Sequence, residues 1–195
     1  AQGEGARAQL DAANTNVAPL TYGSLPGSAD IQTQIWQFFA AKGLAPHQIA
    51  GIMGNASAES GFNPLAQGDH KNGVAQAFGL FQWNDRKGNL FDFIGGQQNL
   101  GDVQKQLEFA WQELMTSENG PFRKLMTSTN VEGATWAMQG FERPSGYDAN
   151  VYGSGMHFDK RLAAAEQALA QFGTAAQTAG SDLASSAGAA AAGPA

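Results

Sequence analysis

Five stripes of apolar residues, each at helical spacing, limit what this chain can fold into more than any other feature of it. Ile31, Ile35, Phe38 and Phe39 fall on one face, with Asp30 placed as a cap and Lys42-Gly43 as a stop. Pro46 opens a second helix whose stripe is Ile49, Ile52, Met53 and Ala56, and Gly61 stands just past its end. Leu100, Val103, Leu107, Trp111 and Leu114 form a third stripe, Val131, Ala134 and Met138 a fourth, and Phe158, Leu162, Ala165, Leu169 and Phe172 the last. Shorter helical pieces are expected around Leu90 to Ile94 and Phe122 to Met126. The chain has no cysteine, so no disulfide or thiolate-bound metal relieves this core of holding the fold together.

One segment departs from the helical period. Lys71-Asn72-Gly73 is a tight-turn signal, and Val74 to Trp83 can follow it as a strand. The expected fold class is therefore mainly α (α+β), a helical domain with a small β-hairpin. Residues 1–28 are rich in Ala, Asn, Gly, Ser and Pro without a sustained period and read as a linker; residues 174–195 read as an Ala/Gly-rich tail. The folded unit is expected over residues 29–173. Ala1 to Arg7 show neither an initiator Met nor a signal-peptide core, so the chain reads as a processed product or a piece of a longer polypeptide. Two such ends suggest a module tethered to something larger.

Composition excludes several functions. With 11 Lys plus Arg against 17 Asp plus Glu, the net charge of −6 argues against a nucleic-acid partner. No run of eighteen apolar residues exists, so no membrane span is expected. The three histidines (His47, His70, His157) show no metallopeptidase spacing. Asp69-His70-Lys71-Asn72-Gly73 lacks the alternating acids and closing Glu of a calcium loop. Tyr152-Gly-Ser-Gly155 misses the first glycine of a nucleophile elbow. No metal site and no cofactor is implied.

Glu59 is the residue that points to chemistry. It lies seven positions after Ile52 and three after Ala56, which at 100° per residue returns it to the buried stripe. Partial desolvation there, and the negative end of a helix stopping at Ser60-Gly61, are both expected to favour its protonated form, each pKa unit being worth about 1.4 kcal/mol. A glutamic acid protonated near neutrality suits general-acid chemistry such as protonating a glycosidic oxygen. The alternative at such a position is a rim carboxylate that pairs with an arginine or caps a neighbouring segment.

The text around Glu59 decides between these. Gly51-Ile-Met-Gly-Asn-Ala-Ser-Ala-Glu-Ser-Gly-Phe-Asn-Pro64 resembles the catalytic helix of the phage tail lysozyme family, and its Glu-Ser core is similar to that of lytic transglycosylases and goose-type lysozymes. Gly79-Leu-Phe-Gln-Trp83 is similar to the second motif of these families. Ile35 to Phe39 with Lys42-Gly43-Leu44, Gln106 to Leu114, and Phe141-Glu-Arg-Pro144 extend the resemblance over roughly residues 30–173. It implies a lysozyme-like helical lobe whose hairpin lines the cleft, with Glu59 as general acid. It also implies, as substrate, the peptidoglycan glycan strand, cut between N-acetylmuramic acid and N-acetylglucosamine. A larger virion-tail or injection-machine assembly would be the partner, and the virion or injection particle the location, acting in the bacterial periplasm or cell wall.

Gln82 can offer its amide to an acetamido group or to water, and Phe81 and Trp83 offer flat faces for sugar rings or, alternatively, belong to the core. Strand alternation places Phe81 and Trp83 on one side and Leu80 and Gln82 on the other. Gly79 admits a close approach of backbone or sugar. Asp69 is the first candidate for a second catalytic carboxylate, with Asp85 next and a turn role as its alternative. Tyr147-Asp-Ala-Asn150 loosely echoes the third transglycosylase motif, which makes Tyr147 a candidate substrate contact and favours hydrolysis over transglycosylation. Glu142 and Arg143 are expected to form an ion pair at a helix end or to position the Glu59 helix. A lytic transglycosylase using the same acid, and a non-catalytic wall-binding module on the same fold, remain the rival readings.

Overall fold

A computed structural model describes residues 28–173; the expected linker 1–28, apart from Ser28, which is helical, and the expected tail 174–195 lie outside the described residues. Helix α1 (Ser28–Ala41) leads into α2 (Pro46–Ser60), then two short strands β1 (Gln67–Gly68) and β2 (Ala77–Phe78), and helices α3 (Lys87–Ile94), α4 (Val103–Met115), α5 (Asn119–Thr127) and α6 (Val131–Glu142). Residues 158–173 form α7. The fold is thus mainly α with a small antiparallel sheet. None of these helices is long and apolar enough to cross a membrane.

Local chemistry sets the helix ends. Pro46 begins α2, and Gln48 folds its side chain back to accept from Ala45 N at 2.9 Å. Gly61 ends α2 in the left-handed region (φ 59°) and donates its N–H to Ser57 O. Asn130 caps α6 through Gly133 N, and Asp102 caps α4 through Lys105 N. Asp30 lies inside α1 and not ahead of it.

The stripes read from the sequence meet in one core. Ile35 and Phe39 of α1, Ile49, Ile52, Met53 and Ala56 of α2, Leu107 and Leu114 of α4, and Ala134, Met138 and Phe141 of α6 are all buried. Fully burying one such Ile or Leu contributes about 1.5–3 kcal/mol, and in the absence of cross-links that burial carries the stability.

Helix α2 runs through this core, flanked by α6 and α7, and two glycines explain how close they come. A Cβ on Gly51 would stand 2.6 Å from the backbone carbon of Ala134, and one on Gly54 would stand 2.3 Å from Arg161 O. Asn55, buried beside them, donates to Thr135 O across the α2–α6 contact. The C-terminal ends of α2 and α6 and the first turn of α7 therefore converge.

The hairpin differs from its expected form. Asn72 and Gly73, with φ of 52° and 79°, make the turn, and Gln67 and Gly68 pair with Phe78 and Ala77. After Phe78 the strand stops: Gly79 (φ 80°) and Gln82 (φ 46°) turn the chain back, and Phe78 and Trp83 exchange backbone hydrogen bonds at 3.1 and 3.0 Å. Alternation fails across this loop, so Leu80, Phe81 and Trp83 are all buried.

Candidate active site

A cleft of about 640 Å³ opens where the three helix ends meet the hairpin. Glu59 and Ala58 of α2, Gly68, Asp69 and Gln82 of the hairpin region, and Glu142, His157 and Arg161 line it, with Asn84, Asp85, Arg86 and Arg143 around them. Of the residues picked from the sequence, the fold brings Glu59, Asp69 and Gln82 together here, with Asp85.

Glu59 is fixed from both sides. Its neighbour Ser60 donates to Leu80 O at 2.8 Å, tying the end of α2 to the hairpin loop. Gln106, fully buried on α4, holds that loop in turn: its Oε1 accepts from Leu80 N at 2.8 Å and its Nε2 donates to Pro64 O at 2.9 Å. The space that Gly79 leaves is filled by this carboxamide, since a Cβ there would stand 2.5 Å from Gln106 Oε1; no sugar approaches at that point.

On the other side Arg161, only 3% exposed, donates through Nη2 to Glu59 Oε1 at 2.5 Å. The same guanidinium donates through Nη1 to Asn55 Oδ1 and through Nε to Met156 O. The side chain of Glu59 keeps 19% of its surface exposed. The alternative of a rim carboxylate paired with an arginine thus holds in part: Glu59 is paired, and it also faces the cleft.

Gln82 uses both amide hydrogens inward, donating to Gly79 O at 3.0 Å and Ala66 O at 3.2 Å. Its Oε1 lies over Gly68, where a Cβ would come within 2.4 Å of it, so glycine at 68 makes room for the carboxamide. Asp69 is exposed and left-handed (φ 48°), a conformation Asp tolerates, and its Oδ2 accepts from Asn84 Nδ2 at 2.9 Å.

Three expectations fail on packing. Phe81 and Trp83, each 1% exposed, lie in the core with ring centroids 5.3 Å apart, so neither offers a face to a sugar. Trp83 instead donates Nε1–H to Glu113 Oε2 at 2.8 Å. Tyr147 lines a separate hollow with Pro121, Lys124 and Gly140, its ring against Trp136, and does not reach the cleft. Glu142 and Arg143 do not pair with each other; Arg143 makes two 3.1 Å bonds to Glu118.

Beneath the cleft is a polar floor that sequence reasoning missed. Arg86 donates to Glu113 Oε2 at 2.8 Å and to Phe141 O at 3.0 Å, its guanidinium 4.6 Å from the Phe141 ring centroid. Burial pushes the Glu113 carboxyl up, with the Arg86 charge and the Trp83 hydrogen bond pulling it down. Arg161 and Asn55, which hold Glu59 from behind, gave only weak signals: they are the polar members of otherwise apolar stripes, four residues from Ala165 and three from Ile52.

Among the described residues, no group of three or more His, Cys, Asp or Glu is placed to hold a metal ion. Chemically, the cleft offers carboxyl groups at the ends of two helices, α2 and α6, a carbonyl acceptor from Gln82 and a carboxyl group on the hairpin side.

Comparison with known proteins agrees with this arrangement. The family model described as phage tail lysozyme matches residues 30–172, which include nearly all of the described residues and the whole cleft. No curated protein and no solved structure matches the chain. The chain belongs to the phage tail lysozyme family, whose name carries a lysozyme-type, peptidoglycan-degrading role.

Proposed function

We propose that this chain is a muramidase that cuts the bond between N-acetylmuramic acid and N-acetylglucosamine in the peptidoglycan glycan strand, with Glu59 as general acid. One observation carries the reading: Glu59 closes the Glu-Ser-bearing helix with its carboxyl in the large cleft, held by Arg161 behind and by the Ser60–Leu80 link beside it. A group fixed in this way loses little freedom on reaching the transition state. Gln82 Oε1, which accepts no hydrogen bond from the described residues, is the acceptor for an acetamido N–H of the bound sugar. Asp69, steadied by Asn84, serves as the second carboxylate and orients the attacking water. The family name further supports a tail-associated module that acts on the wall from the virion, within the periplasm or cell wall.

The binding-only reading has one feature in its favour, the ion pair that occupies Glu59. Purified Glu59→Gln separates the two. Glutamine keeps an oxygen for Arg161, so the variant folds, yet clearing of sacculi falls at least about a hundredfold, the lower end of a general acid's contribution. Clearing at the wild-type rate would remove Glu59 from the mechanism. Mass spectrometry of the released sugars distinguishes hydrolysis from transglycosylation, whose anhydro product is lighter by one water.

A further inference from the structure

We propose that Glu142 is a further working carboxyl of this site, alongside Glu59 and Asp69, and that in the free protein it holds the proton Glu59 delivers to the glycosidic oxygen. The inference rests on the muramidase reading above and deepens it. General-acid chemistry needs a proton in the cleft, and Glu59 meets Arg161 in the geometry of an ion pair.

The partners of the arginines place that proton. Four glutamates gather at and beneath the cleft: Glu59, Glu113, Glu118 and Glu142. Three guanidiniums answer them, Arg161 on Glu59, Arg86 on Glu113 and Arg143 on Glu118. Glu142 is the glutamate left over: among the described residues it makes no ion pair, and its Oε1 is fully enclosed with no hydrogen-bond partner. An enclosed carboxylate oxygen without a partner is strongly disfavoured, whereas a neutral carboxyl bears the same enclosure at far lower cost. The carbonyl ends of α2 and α6 also meet here, and both oppose added negative charge.

The charges facing Glu142 come from every side. Glu59 on α2 and Glu113 on α4 oppose its ionisation; Arg161 on α7 and Arg86 ahead of α3 favour it. Burial outweighs both arginines and, with Glu59 next, holds the Glu142 carboxyl well above the usual carboxylate range. Glu142 therefore keeps its proton to higher pH than an ordinary carboxyl, beside a Glu59 that meets Arg161 as an ion pair. In the reaction the proton passes from Glu142 to Glu59 and on to the glycosidic oxygen as its bond to the anomeric carbon breaks. Water then adds its hydroxyl to that carbon, and its remaining proton returns to the pair.

The test follows the proton directly and then its effect on rate. In protein with ¹³C-labelled glutamate, the Cδ shifts at pH 7 should show one protonated side chain. That signal should vanish in Glu142→Gln and persist in Glu59→Gln with its titration moved to lower pH. Glu142→Asp should move it out of the glutamate region, which secures the assignment should Glu142→Gln fold poorly. In sacculus cleavage, Glu142→Gln should shift the alkaline limb of the pH–rate profile toward acid by about one unit or more, where a merely structural role would lower the rate and leave the limb in place. Absence of the protonated glutamate in the wild type, its survival in Glu142→Gln, or an unmoved limb overturns the proposal. Wild-type protein that cleaves no glycan but shows the Glu142 proton refutes the muramidase reading alone.

Discussion

A single methyl group on Gly54 tests whether helix packing sets the geometry of the cleft. In Gly54→Ala the new Cβ would stand 2.3 Å from Arg161 O and 2.7 Å from Ala165 Cβ. Both are parts of α7 that no side-chain rotation can move away. Ordinary contact begins near 3.4 Å, so α7 must retreat by about 1 Å. Alanine gains about 1 kcal/mol over glycine in helix propensity, while overpacking a tight core costs about 1–3 kcal/mol. The net is a loss of about 0–2 kcal/mol, or a Tm lower by at most about 8 °C at this chain length.

The effect on activity is larger in proportion, because the residue struck is the one whose side chain holds Glu59. A retreat of about 1 Å takes the Arg161–Glu59 bond beyond hydrogen-bonding reach, and misplacement on that scale costs about a hundredfold in rate. Circular dichroism melting and sacculus clearing well below both melting temperatures measure the two effects separately. Gly88→Ala is the control, since a Cβ there meets nothing within 4 Å, and it should leave clearing unchanged. Wild-type clearing by Gly54→Ala, or an increase in its Tm, would show that the α2–α7 approach does not set the site.

Two further outcomes follow from the polar groups around the cleft. Glu142 is held above the usual carboxylate range, so below about pH 4 it is protonated in both folded and unfolded chains and has no effect on stability. As pH rises past that point the unfolded chain ionises first and the folded state loses about 1.4 kcal/mol per pH unit until the folded group titrates too. Urea denaturation of Glu142→Gln against wild type should therefore show a stability advantage for the variant that is absent near pH 4 and grows toward neutrality; a difference independent of pH contradicts the buried neutral acid. Gln106→Leu strands Leu80 N–H and the Pro64 and Leu100 carbonyls, each worth about 1–3 kcal/mol when buried unpaired, so it should lose about 3 kcal/mol or more and expose the Leu80 amide to hydrogen exchange. A protected Leu80 amide in that variant would place the anchor of the hairpin loop elsewhere.

The helices were legible because their signals are local and redundant. Pro46, the stripe from Ile49 to Ala56 and Gly61 each mark α2 independently, and the structure follows all three. The loop from Gly79 to Trp83 was not legible for the opposite reason. Its Leu-Phe-Gln-Trp text has the composition of a half-buried strand, but left-handed residues at Gly79 and Gln82 and the distant Gln106 decide its course. A sequence pattern assigns faces only after the backbone is known to be extended. That is why two aromatic residues expected at the substrate are core, while Gln82 reaches the cleft by a turn instead of by alternation.

For the site, the sequence showed residues whose role depends on their own helix and hid those whose role depends on others. Glu59 stands out because helix end, stripe position and neighbouring motif coincide within fifteen residues. Arg161 is 102 positions away, and on its own stripe it reads as an interruption between Phe158 and Ala165. Its meaning appears only when Gly54 admits α7 against α2 and Asn55 takes up the second arm of the guanidinium. Glu142 is harder still, since its neighbour Arg143 suggests a local pair that the left-handed turn at Arg143 (φ 52°) dissolves by sending that side chain to Glu118. One residue's backbone angle thus leaves a half-buried glutamate, one of its oxygens enclosed, without an ion-pair partner beside Glu59. A substitution that draws Arg143 back, such as Glu118→Gln, removes the competing charge and offers Glu142 the partner it lacks. The fold leaves Glu142 without an ion-pair partner by turning Arg143 toward Glu118.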